Sequence, residues 1–344
     1  MMVRSIPRQL SVNDLEPVMS DLLDLQHELT PSFVPVQSSL PAALEFMRQV
    51  HTNFPVVYRG AALNWPALVS TSGRRWAKQY LLDKLKDTIV TVAETPLGNA
   101  DAPLEGMFVQ PHTSHLPFPV FVDKLLDPNA DSVCYMQSQN NNMPTEFPQL
   151  ANDIQVDIPW ATEALQSQPE AVNLWIGSSR STTSLHKDPY ENLHVQILGQ
   201  KVFKLVSPAE HICVKESMLK KATYQKSSAG FNLIAESGTQ PWPTLDPDGI
   251  DCEDHWQCKV RVLEATLNPG DMLYLPALWY HKVTQVSDME GLCCSVNYWY
   301  DMDFTGPLWP FANFVRGITD LLTGDKHNAD IGDSVEDDNC VDTA

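Results

Sequence analysis

The stretch Thr183-Ser184-Leu185-His186-Lys187-Asp188 carries a histidine and a carboxylate two residues apart. On a β-strand, side chains at i and i+2 leave the same face. If the stretch is extended, the His186 imidazole and the Asp188 carboxylate aim into one cavity. A second histidine beside them completes a 2-His-1-carboxylate set, which holds one face of Fe(II) and leaves positions for a substrate acid and O2. The spacing alone arises often by chance. The rest of the chain must supply a third ligand, a cosubstrate site and a barrel of strands.

Strands lie on both sides. Upstream, Val172-Asn173-Leu174-Trp175-Ile176-Gly177 reads as one. Downstream, residues 194–198 and 201–206 flank Gly199-Gln200, the spacing of a two-residue hairpin. Residues 259–267 alternate apolar and polar, Asn268-Pro269-Gly270-Asp271 is a turn, and 272–276 is a buried strand. A corner at Pro276-Ala277-Leu278-Trp279 leads into 280–286, and 292–299 is one more strand. Many short strands with turn signals between them point to an antiparallel barrel or jelly roll. Helical spacing concentrates before residue 170, near 10–30, 42–50, 76–85, 118–126 and 161–165, and returns at 310–322. Residues 99–117 read as a loop with an extended piece at Met107-Phe108-Val109. Residues 209–258 read as a long insert with little periodicity, a length that is functional or covering in a compact domain. The expected organisation is an N-terminal helical extension (1–40), a helix-rich part packed on the barrel (41–170), the β core with its insert and terminal helix (171–322), and an acidic disordered tail (323–344).

Charge and cysteine usage narrow the partners. Lys and Arg number 23 against 43 Asp and Glu, a net charge of −20, which argues against direct nucleic-acid binding and suits a cationic partner or plain solubility. No apolar run approaches the roughly 20 residues that span a bilayer, so no membrane partner is expected. The first residues lack the apolar stretch of a secretory signal. Seven cysteines without a small-domain spacing suggest reduced thiols, hence a cytoplasmic chain with nuclear residence left open.

His281, just after the 268–280 block, is the candidate third ligand. A lone histidine near aromatics is more often a core residue; beside His186 and Asp188 in a barrel it reads as a ligand. A ferrous oxygenase also needs a cosubstrate such as 2-oxoglutarate, whose far carboxylate calls for a cation and a hydroxyl donor. Lys201 opens the returning hairpin strand, Thr183 precedes His186 by three, Tyr135 offers a phenol, and Asn192 and Asn297 are polar residues on apolar strands. Alone, Lys201 would read as a solvated turn lysine and Asn192 as a turn cap.

Taken in order, Thr183-x-x-His186-x-Asp188-x-x-x-Asn192, Gly199-x-Lys201-x-Phe203, Pro269-Gly270-Asp271, Pro276-x-x-Trp279-x-His281 and Asn297-x-Trp299 resemble the Jumonji-C (JmjC) oxygenases of the cupin type. Arg59-Gly60 with Trp65-Pro66-Ala67 extends the match, which spans roughly residues 40 to 320. The resemblance implies a mainly β fold with flanking helices, a double-stranded β-helix. It implies an enzyme dependent on Fe(II), 2-oxoglutarate and O2, with His186, Asp188 and His281 on the metal and Tyr135, Thr183, Asn192, Lys201 and Asn297 on 2-oxoglutarate. The implied reaction is C3 hydroxylation of a lysyl residue in a protein substrate such as a translation-associated GTPase. The alternatives are a metal-dependent peptidase on histone-like tails, with Glu191 as base, or a histone lysine demethylase. A non-catalytic cupin module fits poorly with a full ligand set.

For the lysine ammonium, Glu191, Asp301 and Asp303 are candidate acids, and Tyr190 and Trp299 candidate aromatic faces. Position 194 is His where animal members carry an aromatic residue, and the insert diverges, so substrate choice stays open. Cys252-x-x-His255-x-x-Cys258 has metal-like spacing but only three ligands, His112-x-x-His115 reads as loop polarity, and Cys293-Cys294 as reduced core packing. The apolar face of the terminal helix, with Phe311, Phe314, Val315, Ile318 and Leu321, is either core or the seam of a homodimer.

Overall fold

A computed structural model describes residues 14–69 and 75–324. Eight strands form its centre: β1 (Ala171–Gly177), β2 (Thr182–His186), β3 (Tyr190–Leu198), β4 (Gln200–Val206), β5 (Leu263–Leu267), β6 (Met272–Leu275), β7 (Tyr280–Val286) and β8 (Cys293–Asp301). They fall into two sheets, ordered β6-β3-β8-β1 and β5-β4-β7-β2, with every neighbouring pair antiparallel. The chain alternates between the sheets from β1 to β4 and again from β5 to β8, with β4 and β5 paired in one sheet on either side of the insert, which is a double-stranded β-helix. Val56–Tyr58 and Val36–Gln37 extend the first sheet beyond β6.

Period-two alternation sorts the side chains of β3. Leu193, Val195 and Ile197 join the largest core cluster, with Phe46, Trp76, Phe118 and Phe121 from the flanking helices and loops. Asn192 and His194 leave the other face and line a cavity inside the barrel. On β4, Phe203 and Leu205 pack with Leu263, Leu267, Leu275 and Val283 between the sheets. Gly199 makes the β3–β4 hairpin possible: its φ is +67°, and a Cβ there would stand 2.4 Å from the Val286 carbonyl oxygen.

The insert differs from its sequence reading. Glu216–Ser227 and Gly230–Pro243 pair as a long antiparallel ribbon, which continues through Met107–Gln110 to Ala102–Leu104 as a four-stranded sheet. Its core is small, chiefly Val109, Ala222 and Tyr224. Most side chains of the second ribbon strand face solvent, so the hydrophobic alternation that announces a strand is missing. His112–Pro117, Ile89–Thr95 and Val133–Tyr135 form a further sheet where a loop was expected in part.

Buried Glu94 ties ribbon to sheet. Lys124 Nζ donates to its Oε1 at 2.7 Å and Lys226, near the ribbon tip, to its Oε2 at 2.9 Å. Ser114 and Ser132 add hydroxyl donors. Burial alone would raise this carboxyl, but Lys124, Ser114 and Lys226 outweigh it and hold Glu94 at about 2. Its folded value lies below the unfolded 4.5, so its stabilisation is present above pH 4.5 and is lost as pH falls toward 2. Glu94→Ala is expected to lower stability by about 3 kcal/mol, the order for breaking a buried ion pair. Urea denaturation at pH 7 checks this; a loss below about 0.5 kcal/mol would mean the pairs behave as surface pairs.

The terminal helix Leu308–Thr323 packs Val315 against Met19 and Leu23 of helix Leu15–Leu29 and against Ile212 and Cys213. That neighbour takes one face, leaving Phe314 at 65% and Leu321 at 57% exposure on the other. The apolar side read as single in sequence is therefore divided. The acidic tail beyond residue 324 lies outside the described residues.

Candidate active site

His186 on β2 and His281 on β7 are cross-strand partners. The pairing then slips: Val283 lies opposite Thr183, so two steps on β7 match three on β2. This is a one-residue bulge, and it resets the parity of β2. Thr183 and His186, three apart, both reach the cavity because of it. Asp188 follows in the β2–β3 turn.

The three side chains converge. Asp188 Oδ2 lies 3.8 Å from His186 Nε2 and 3.6 Å from His281 Nε2, and the imidazole centroids are 4.0 Å apart. One ligand atom from each residue falls within 4.8 Å of the others. His186 Nδ1 bonds the Ser184 carbonyl at 2.8 Å and His281 Nδ1 the Trp279 carbonyl at 3.0 Å. A carbonyl only accepts, so each Nδ1 donates, which leaves each Nε2 as the ring nitrogen turned inward. Burial, reinforced by the neighbouring His186, keeps the His281 imidazole well below its ordinary value, hence neutral. Two imidazole Nε2 atoms and a carboxylate are the donor set of a facial divalent-metal site.

A corner carries His281 into place. Leu278 adopts a left-handed φ of +66°, and its N–H donates to the Asp188 carbonyl at 2.9 Å. Trp279 Nε1 donates to the Asn53 carbonyl at 2.8 Å, and Asn53 Nδ2 returns a bond to the Ala277 carbonyl.

The cavity measures about 340 Å³ and is lined by His186, Asp188 and His281 together with Tyr135, Thr183, Asn192, Lys201, Asn297 and Trp299. Lys201 is 3% exposed and forms no carboxylate pair among the described residues. Its Nζ donates to the Tyr135 hydroxyl at 3.2 Å and sits near the Tyr135 and Trp175 rings. Burial pulls the ammonium down to about 8. Nearby, His194 Nε2 is buried with no partner among the described residues, and burial followed by the Lys201 charge holds that ring neutral. A buried cation without a counter-ion, beside an unused imidazole nitrogen, fits the carboxylate of a small dicarboxylic acid. Trp175 Nε1 donates to Asn297 Oδ1 at 2.8 Å, and Asn297 Nδ2 to Asn192 Oδ1 at 3.3 Å, fixing both amides.

The acids expected for a lysine ammonium lie elsewhere. Glu191 precedes Asn192, so with Asn192 inward it points out. Its Oε2 accepts from Tyr274 Oη at 2.7 Å and from the Ala277 N–H at 3.3 Å. With Asp301 it lines a separate groove. From there it reaches no group at the metal set, so it is no base for that centre. Asp303 is exposed and bonds Thr305. Tyr190 stacks on Trp299, centroids 4.8 Å and planes 9° apart, but only Trp299 lines the cavity. Sequence reasoning missed Asp101, Trp175 and Trp242, which do line it. His194 stood out only as a departure from the aromatic expected there.

Glu191 supports the corner. Burial pushes its carboxyl up to about 7, although Tyr274 and Ala277 oppose the rise. Between the unfolded 4.5 and about 7 the folded chain holds a proton that the unfolded chain has released, so stability falls as pH rises through that window. Glu191→Gln is expected to remove this slope, worth on the order of 3 kcal/mol between pH 5 and 8 at ~1.4 kcal/mol per pH unit. Urea titrations at both pH values check it; an unchanged slope would assign the pH dependence to another group.

Cys252 and Cys258 are exposed thiols bonded to nearby backbone carbonyls, and His255 turns to Glu16 at 3.0 Å. Among the described residues, His186, Asp188 and His281 form the one His/Cys/acid group with metal-ligand geometry.

A cupin-like domain family matches residues 41–306. The chain is 38% identical over 301 residues to the human bifunctional peptidase and (3S)-lysyl hydroxylase JMJD7, covering 84% of this chain and 92% of the relative. The chain belongs to the JmjC cupin family. The Arabidopsis thaliana lysine-specific demethylase JMJ32 is 34% identical, with 81% and 85% covered. JmjC domain-containing protein E of Dictyostelium discoideum is 31% identical, with 81% and 87% covered. JmjC cupins are 2-oxoglutarate-dependent oxygenases that use Fe(II), and this JmjC chain is an enzyme of that class.

Proposed function

We propose that this JmjC oxygenase hydroxylates a lysyl residue of a protein, with His186, Asp188 and His281 holding Fe(II). The observation that carries the reading is the convergence of two inward Nε2 atoms and the Asp188 carboxylate in one cavity with the counter-ion-free Lys201. When bound, Fe(II) and 2-oxoglutarate supply the O2 chemistry that inserts one oxygen into a C–H bond.

The chain's own residues bind, orient and exclude water. Lys201 would take the far carboxylate of 2-oxoglutarate, with the Tyr135 hydroxyl beside it and Thr183 on the same cavity wall. Asn192 and Asn297, held by Trp175, line the same cavity as fixed amides and would bind the cosubstrate there. Phe203, Val283 and Trp242 provide apolar wall, which strengthens these charge interactions by keeping water out. The lysyl assignment draws on the activity named for the human relative.

Mass spectrometry of candidate protein substrates, incubated with enzyme, Fe(II) and 2-oxoglutarate, tests the proposal. A lysine gaining one oxygen atom supports it. Loss of methyl groups would favour the activity named for the plant relative, and chain cleavage without 2-oxoglutarate the peptidase named for the human one. The free thiols of the described residues are consistent with a reducing, cytoplasmic setting. The outward Phe314 and Leu321 support a homodimer through the terminal helix, which sedimentation of the full chain would detect.

A further inference from the structure

The cavity holds a second carboxylate that the metal set does not use. Asp101 stands directly before Ala102–Leu104, the edge strand of the ribbon sheet, with its backbone in the left-handed region at φ +52°. Asn and Asp are the non-glycine residues that best tolerate that conformation. The turn brings Asp101 to the cavity lining. Gln137 Nε2 donates to its Oδ2 at 2.9 Å, and among the described residues no lysine or arginine pairs with it. A recessed carboxylate with a neutral amide as its partner lacks charge compensation. Burial accordingly raises its carboxyl, against the pull of Gln137 and His186.

The surroundings define what would compensate it. Phe108 and Trp242 line the same cavity with ring centroids 4.5 Å apart, and Trp242 lies parallel to His186, planes 4° apart. Aromatic faces beside a carboxylate complement an ammonium on an alkyl stem: the stem packs on the rings and the head reaches the acid. The cavity thus carries two opposite demands. Lys201 calls for an anion, and Asp101 repels one and calls for a cation.

We infer that Asp101 accepts the ammonium of the substrate side chain and sets this cavity's preference for a cationic residue. Gln137 and the left-handed turn position it. The inference rests on the proposed lysyl reaction only for which cation enters. It also gives the insert a role, since the ribbon sheet carries Asp101's strand, Phe108 and Trp242.

Asp101→Asn tests the charge alone, because Asn adopts the same φ and its Oδ1 still accepts from Gln137. Three probes are compared on the full chain loaded with Mn(II) and 2-oxoglutarate: the Nα-acetyl N-methylamides of lysine, arginine and norleucine. Their affinities are read by ligand-observed NMR, with melting temperature as the check on folding. The wild type is expected to bind lysine at least about tenfold more tightly than norleucine, the order for a charge-assisted bond, and Asp101→Asn to bring the two together. Arginine preferred over lysine, with that preference lost in Asp101→Asn, would support Asp101 as cation acceptor while overturning the lysyl reading. A folded Asp101→Asn that keeps the wild-type preference for a cation would overturn the inference.

Discussion

Asp188→Ala is expected to abolish oxygenase turnover and divalent-metal binding while leaving the fold intact. The carboxylate is the one anionic member of the set, and its Oδ2 lies 3.8 and 3.6 Å from the two Nε2 atoms. Without it two imidazoles remain, and neither the negative charge nor the facial geometry for a divalent cation survives. The loss should exceed the 10- to 100-fold that removal of an outer-shell partner costs, so binding falls from view in a titration at micromolar metal. The fold should hold because the corner at Leu278 depends on the backbone carbonyl of Asp188, not its side chain. Removing a half-buried carboxylate whose charged form desolvation already disfavours should leave the metal-free melting temperature equal or higher. Calorimetric Mn(II) titration and thermal unfolding of both forms decide this. Metal affinity within about threefold of wild type, roughly 0.7 kcal/mol, would exclude the assignment of Asp188 as a ligand.

The legible parts of this site were those written in short-range spacing. His186-x-Asp188 and the Pro276–His281 corner lie on strands or beside tight turns, where local geometry fixes which way a side chain points. The barrel was legible for the same reason, as a series of strands cut by turns. Glu191 follows from strand parity: with Asn192 inward, its neighbour has to face out. Thr183 shows the reverse case, since it and His186 share the cavity only through a bulge that no local pattern announces. Asp101 and Trp242 were illegible because they reach the centre on a sheet whose pairing, Ala102–Leu104 to Met107–Gln110 to the ribbon, is nonlocal and mostly solvated. Distant segments with small apolar cores leave little periodic trace.

Lys201→Met should raise the KM for 2-oxoglutarate far more than it lowers stability. Among the described residues the buried lysine has no carboxylate partner, so the folded protein bears the desolvation cost of a charge that a ligand would compensate. Met fills similar volume and removes that cost, and the metal-free variant should be at least as stable as wild type. Loss of one partner of a buried charge pair costs about 2–5 kcal/mol in binding, roughly 30- to 4,000-fold in affinity.

The wild type should also reveal the lysine through pH. Burial places its folded value at about 8 against the ordinary 10.5, so between these values the unfolded chain holds a proton that the folded chain has lost. Stability of the ligand-free protein therefore rises with pH across that window. Affinity for the dicarboxylate moves the opposite way. Above about 8 a proton must be taken up for the pair to form, and binding should weaken by up to about tenfold per pH unit. Lys201→Arg, whose guanidinium stays charged, should flatten that dependence wherever it binds at all. Equilibrium titrations of 2-oxoglutarate at pH 7, 8 and 9 on the Mn(II)-loaded chain provide the measurement. A wild-type affinity constant across that range would mean that Lys201 enters the complex uncharged, and the carboxylate would then have to be held by hydroxyl and imidazole donors alone.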